Sequence, residues 1–174
     1  MTTPTPVSYL FVPGNRPERF DKACAAGADV VIIDLEDAVP PSEKDAARAA
    51  VAQWLHADKP IALRINSVDS AWFKSDLALC AHAGVAAVVL PKAATVEDIA
   101  MVVAAGARTV LPLIESAIGL NNATALAAAP QVERLLFGSI DFCVDLGIEG
   151  DDRELDYFRS QLVLASRLAS IAAP

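Results

Sequence analysis

Val110-Leu111-Pro112-Leu113-Ile114-Glu115 is an apolar run that closes on a carboxylate, and Leu135-Leu136-Phe137-Gly138-Ser139-Ile140-Asp141 repeats the arrangement one unit later. Core packing gives no reason for a charge at the end of a strand. Successive parallel strands point their terminal side chains into one mouth, so Glu115 and Asp141 are expected to hold a hard divalent cation. Mg2+ usually takes one or two carboxylates, and water and substrate oxygens fill its other positions. The plainer account makes both acids helix-start carboxylates facing backbone amides.

The same alternation runs through the whole chain. Short apolar, often β-branched runs at 9–12, 30–34, 61–66, 86–91, 109–114 and 134–137 read as strands. Ala-rich amphipathic segments at 17–26, 42–57, 70–83, 96–105, 116–128 and 154–172 read as helices. Ser42 with Asp45 three residues later predicts a loose capping box, and Gly27, Gly84 and Gly106 are placed as helix-ending residues. Repeated βα units require a parallel sheet. A doubly wound sheet gathers its ligand groups at one switch point, whereas a barrel spreads them around the C-terminal rim. Here polar residues recur at successive strand ends: Asp34, Glu36 and Asp37; Arg64 and Asn66; Lys92; Glu115; Asp141. No GxGxxG or Walker A pattern supports a dinucleotide or P-loop site. The expectation is one α/β domain over 1–174, a (β/α)8 TIM barrel of which about six of the eight units are present. The last strands and a C-terminal lid are expected to be lacking, leaving edges at strands one and six.

Bulk properties narrow the function classes. The 174 residues suffice for a real core, and 54% hydrophobic content argues against a disordered chain. A net charge of −8 argues against nucleic-acid binding. Cys24, Cys80 and Cys143 lack CxxC spacing; Cys24 and Cys80 read as small apolar residues on helices. Met1-Thr2-Thr3-Pro4-Thr5-Pro6 has no basic or long apolar leader region, and no apolar run reaches a bilayer span. A soluble, cytoplasmic protein is expected.

Other residues carry candidate chemistry. Three acids in Asp34-Leu35-Glu36-Asp37 need a nearby cation, or they orient metal-bound water. Arg64, inside an apolar strand, needs a partner: a substrate carboxylate gripped bidentately, or an internal salt bridge to Glu36 or Asp37. Lys92 after Pro91 is placed to form a Schiff base or to orient a carboxylate. Asn15, Arg16 and Lys22 lie where a loop opens a helix, a setting that favours phosphates. His56 and His82 fall near helix ends and are read as surface groups.

Six ordered motifs give the chain a family resemblance. They are Leu10-Phe11-Val12-Pro13-Gly14, Asp34-Leu35-Glu36-Asp37-Ala38-Val39, Arg64-Ile65-Asn66, Pro91-Lys92, Ile114-Glu115-Ser116-Ala117 and Phe137-Gly138-Ser139-Ile140-Asp141. With them the sequence resembles the citrate lyase β-subunit family of the HpcH/HpaI aldolase superfamily, with Ser116 standing where Thr is usual. The resemblance implies a Mg2+-dependent carbon–carbon lyase acting on citryl-CoA, malyl-CoA or a related 3-hydroxyacyl-CoA, through a metal-bound keto acid and a thioester enolate. It assigns the metal to Glu115 and Asp141, a substrate carboxylate to Arg64, and the coenzyme A thioester to the region of Asn15, Arg16 and Lys22. Glu36, Asp37 and Lys92 complete the catalytic set. It also implies a homotrimer or hexamer, with further lyase-complex subunits as partners. Other readings are a Schiff-base aldolase through Lys92, a malyl-CoA-type thioesterase and a non-catalytic acyl-CoA-binding subunit.

Overall fold

The computed structural model describes residues 5–150 and 152–174. Residues 1–4, the start of the N-terminal stretch read above, lie outside the described residues. The strands follow one another in chain order, β1-β2-β3-β4-β5-β6. The chain divides into two compact units, Met1–Val88 and Val89–Pro174. The boundary falls within β4 (Val85–Leu90).

In the first unit, β1 (Tyr9–Pro13), β2 (Val30–Asp34) and β3 (Ile61–Arg64) pair in parallel. Ile32, Ile33 and Leu63 are fully buried, as expected of strands covered on both faces. Burying each such side chain contributes about 1.5–3 kcal/mol. The register sets Pro13 beside Asp34, and Asp34 beside Arg64, so the polar strand ends are neighbours. The helices are α1 (Phe20–Cys24), α2 (Lys44–Trp54) and α3 (Phe73–Asp76), all shorter than expected. Turns of 3-10 type at Pro17–Arg19, Pro41–Glu43 and Leu77–Leu79 take up part of the difference.

The second unit carries α4 (Val96–Ala104), β5 (Val110–Ile114), α5 (Ala117–Asn121), α6 (Ala123–Ala127), β6 (Leu136–Phe137), α7 (Ser139–Leu146) and α8 (Asp156–Leu168). β5 and β6 are parallel, with Ile114 beside Phe137. The helix expected over 116–128 is broken at Asn122, whose side-chain amide donates to the Ala94 carbonyl at 2.8 Å. α7 was not anticipated. Its apolar residues, Ile140, Phe142, Cys143, Val144 and Leu146, are spread over more than one face, so no single apolar stripe announces it. Phe142 is buried between Phe137 and Phe158, with ring centroids 5.0 and 4.9 Å away.

Two local expectations fail. Ser42 sits in a 3-10 turn and α2 has no side-chain cap; Asp45 pairs with Arg48 at 2.7 Å instead. The capping box is at Thr95 and Asp98, which opens α4. Gly27 and Gly106 adopt the left-handed backbone expected after a helix, at φ 89° and 97°, but Gly84 does not. Cys24, Cys80 and Cys143 are free thiols. Cys80 is fully buried, and burial, helped by the charge of Asp76, pushes its thiol up to about 12. Among the described residues, no helix is long and apolar enough to cross a membrane.

Candidate functional site

The strand ends of the first unit form a dense buried polar cluster. Asp34 accepts from Arg64 Nε at 2.7 Å and Arg64 Nη2 at 2.6 Å. The same carboxylate also accepts the backbone N–H groups of Glu36 and Ala38, at 2.8 and 3.1 Å. Arg64 Nη1 reaches Glu36 Oε2 at 3.0 Å and Asp37 Oδ2 at 3.6 Å. The Phe11 ring lies over the guanidinium, 5.1 Å from centroid to Cζ. The principal partner of Arg64 is therefore Asp34 on the adjacent strand, ahead of the Glu36 and Asp37 expected from sequence. Burial alone would lower the Arg64 pKa, but the Asp34 hydrogen bonds and the Asp34, Glu36 and Asp37 charges outweigh it and raise it.

Behind this group stand residues that sequence reasoning missed. Lys44 is buried and donates to the carbonyls of Leu35 and Glu36 and to Asn66 Oδ1, each at 2.7 Å. Burial pulls its pKa down against the opposing pull of Asp34, Glu36, Asp76 and Asp37. Asp76 is fully buried and accepts from Asn66 N at 2.9 Å, Asn66 Nδ2 at 2.6 Å and Arg48 Nε at 2.7 Å. Asp76 lies three residues from both Phe73 and Leu79, on the buried side of its segment. A charge at helical spacing within an apolar face was the available signal. A cavity of about 420 Å3 adjoins the cluster, lined by Glu36, Asp37, Val39, Lys44, Asn66 and Trp72 among others.

The cofactor-binding candidates form no comparable group. Asn15 Nδ2 donates to Glu43 at 2.7 Å, Arg16 pairs with Glu18 at 2.6 Å, and Lys22 is exposed on α1. Asn15 Oδ1 is buried without a hydrogen-bond partner.

In the second unit, Glu115 and Asp141 are linked through one residue. Glu115 is buried, and its Oε2 accepts the Lys92 backbone N–H at 2.9 Å. The Lys92 ammonium lies 3.5 Å from Asp141 Oδ2. Lys92 holds a left-handed backbone at φ 51°, uncommon for a residue with a Cβ. Gly138 lies against Glu115, and a Cβ there would collide with the Glu115 side chain. Asp141 sits in the first turn of α7, not in a loop, close to the positive helix end. Ser116 caps α5, its Oγ accepting from Gly119 N at 3.2 Å. Asp145 accepts the Ala117 N–H at 2.7 Å.

Among the described residues, no group of three or more His, Cys, Asp or Glu side chains gathers to hold a metal. The residues present still fit Mg2+. They offer two hard oxygen donors, a glycine leaving room at one of them and an ammonium standing beside the other.

A strand-ordered parallel α/β chain with polar groups gathered at the C-terminal strand ends is the arrangement of a β/α-barrel domain. The chain belongs to the HpcH/HpaI aldolase/citrate lyase family, matched over residues 7–173. It is 32% identical over 185 residues to citrate lyase subunit beta of Leuconostoc mesenteroides subsp. cremoris, covering 95% of this chain and 61% of that protein. It is 40% identical over 139 residues to a citrate lyase subunit beta-like protein of Mycobacterium tuberculosis, covering 80% and 50%. A (3S)-malyl-CoA thioesterase of Cereibacter sphaeroides is 33% identical over 145 residues, at 80% and 51%. The chain thus spans about half to three-fifths of the length of these relatives.

Among solved structures, the CitE protein of M. tuberculosis with magnesium and pyruvate superposes with a TM-score of 0.82 at 34% identity, over 96% of this chain and 72% of that one. The same protein with magnesium, acetoacetate and coenzyme A gives 0.80 at 35% identity, over 96% and 64%. The fold is that of a partial (β/α)8 barrel, as the strand-end reading anticipated.

Proposed function

We propose that this chain belongs to a Mg2+-dependent carbon–carbon lyase acting on citryl-CoA, malyl-CoA or a related 3-hydroxyacyl-CoA. The carrying observation is the carboxylate pair of the second unit. Glu115 is fixed by a backbone N–H and given room by Gly138, and Asp141 already has a cation beside it. Glu115 and Asp141 would hold the metal, which when bound supplies Lewis-acid polarisation of substrate oxygens. Related structures with magnesium and keto acids support that reading.

The chain's own groups have the remaining roles. Asp34 occupies the Nε and Nη2 edge of Arg64 and so fixes the guanidinium plane. The Nη1 end, shared with Glu36 and Asp37, is what Arg64 would offer to a substrate carboxylate. Glu36 and Asp37 are the candidate proton acceptors. Asn15, Arg16 and Lys22 remain the proposed contacts of the coenzyme A thioester. The orphaned Asn15 Oδ1 suits a ligand N–H. A Schiff-base role for Lys92 is disfavoured. Such lysines are activated by burial or a neighbouring cation, whereas Lys92 is exposed beside a carboxylate.

A second reading, thioester hydrolysis, is favoured by the likeness to the malyl-CoA thioesterase. The test is incubation with Mg2+ and each acyl-CoA, followed by assays for keto acid and free thiol. Keto acid with an intact product thioester supports the lyase. Free coenzyme A without keto acid replaces it with the thioesterase. Binding without turnover leaves an acyl-CoA-binding subunit. Sedimentation checks the proposed trimer or hexamer.

A further inference from the structure

We propose that the Lys92 ammonium is a resident counter-ion of the Glu115–Asp141 pair, which withdraws when a divalent cation enters and returns when it leaves. The proposal rests on the metal reading above and concerns what the chain does without the metal.

Lys92 touches both acids through different atoms. Its backbone N–H is on Glu115 Oε2 at 2.9 Å, and its ammonium is 3.5 Å from Asp141 Oδ2. The two attachments differ in stiffness. The main chain is pinned immediately downstream, where Asp98 accepts the N–H groups of Ala94 and Thr95 at 3.1 and 2.8 Å at the start of α4. The side chain is long, and the ion pair is open to water, with the Lys92 and Asp141 side chains 46% and 38% exposed. A pair so exposed is held weakly and exchanges readily. The main-chain bond to Glu115 can therefore persist while the ammonium leaves.

Electrostatics supplies the reason for the arrangement. Two carboxylates kept ready for a cation repel each other when it is absent. A univalent ammonium on a flexible stem relieves that repulsion. It competes for an oxygen the metal needs, and a divalent ion wins because it engages both acids at once. Two consequences follow. Lys92 weakens metal affinity, and metal loading exposes its amine.

The experiment is a Mn2+ titration of the chain followed by electron paramagnetic resonance, with Lys92→Met, Lys92→Arg and Glu115→Gln in parallel. Amine labelling of Lys92 in the unsubstituted chain is read by mass spectrometry with and without Mg2+. The expected result is several-fold tighter Mn2+ binding in Lys92→Met. Lys92→Arg should stay near the unsubstituted chain, and Lys92 labelling should be faster with Mg2+. If the unsubstituted chain binds no Mn2+, or Glu115→Gln binds equally well, the metal reading fails and takes this inference with it. If Glu115→Gln loses Mn2+ but Lys92→Met binds no tighter, or labelling ignores Mg2+, the counter-ion role alone is overturned. Should Lys92→Met fail to fold, the labelling comparison decides by itself.

Discussion

The polar cluster of the first unit and the acid pair of the second are both built at strand ends, yet they are finished differently. Around Arg64 the buried charges have short partners within the chain: Asp34 with Arg64, Asp76 with Arg48, Lys44 with carbonyls and Asn66. In the second unit the Lys92 ammonium approaches Asp141 at a looser 3.5 Å, and both of those side chains reach solvent. Charges answered from within the chain stiffen a fold. An acid that meets its ammonium in a solvent-exposed pair leaves, on the proposed reading, a place for a cation from solution.

The largest effect should come from breaking the closed cluster. Asp76→Ala takes the buried partner from Arg48, which keeps only the exposed Asp45, and strands both Asn66 donors, and should cost about 3–5 kcal/mol in calorimetric unfolding. A loss below about 1 kcal/mol would mean that the cluster is not structural. Gly138→Ala strikes the open pair. Its methyl collides with Glu115, so the carboxylate must swing off the Lys92 N–H. Stability should fall by about 1–3 kcal/mol, and Mn2+ affinity by about tenfold. Unchanged affinity would show that Gly138 does not set the donor. Thr95→Ala removes one half of the capping box downstream of Lys92 and should cost about 1 kcal/mol in urea unfolding. Mn2+ affinity should hold, because the cap supports the loop without touching either acid.

The smallest effect is a slope with pH. Burial lowers the Lys44 pKa against the pull of Asp34, Glu36, Asp76 and Asp37, so the folded chain holds this proton less tightly than the unfolded one. The buried charge therefore costs stability at neutral pH. That cost is relieved as pH rises through the interval between the lowered value and the ordinary 10.5. Urea midpoints measured as pH rises toward 10.5 should show a shallower rise in Lys44→Met than in the unsubstituted chain. Identical slopes would remove Lys44 from the account.

What the sequence made legible follows from periodicity. β2 falls where expected, at Val30–Asp34, and β5 and β3 within a residue or two, because buried parallel strands are unbroken apolar runs bounded by polar residues. Glu115 and Arg64 stood out because a charge at the end of such a run has no packing role. Lys44 and Asp76 did not, because a charged residue on an Ala-rich helix looks like ordinary solvated surface until its face is known to be inward. Asp34 was noticed as one of a run of acids, but its place as the hub depends on register, which sets it beside Arg64. The α5–α6 break at Asn122 depends on a carbonyl far away in sequence, at Ala94, and no local pattern carries it.

Cys80 offers a timepiece. Its thiol is fully buried and pushed up to about 12, so reagents that need a thiolate find almost none while the first unit stays shut. Cys24 and Cys143 are only half-buried and should react first. The slow remaining phase then counts openings of the first unit, one modified sulfur at a time, with no engineered probe.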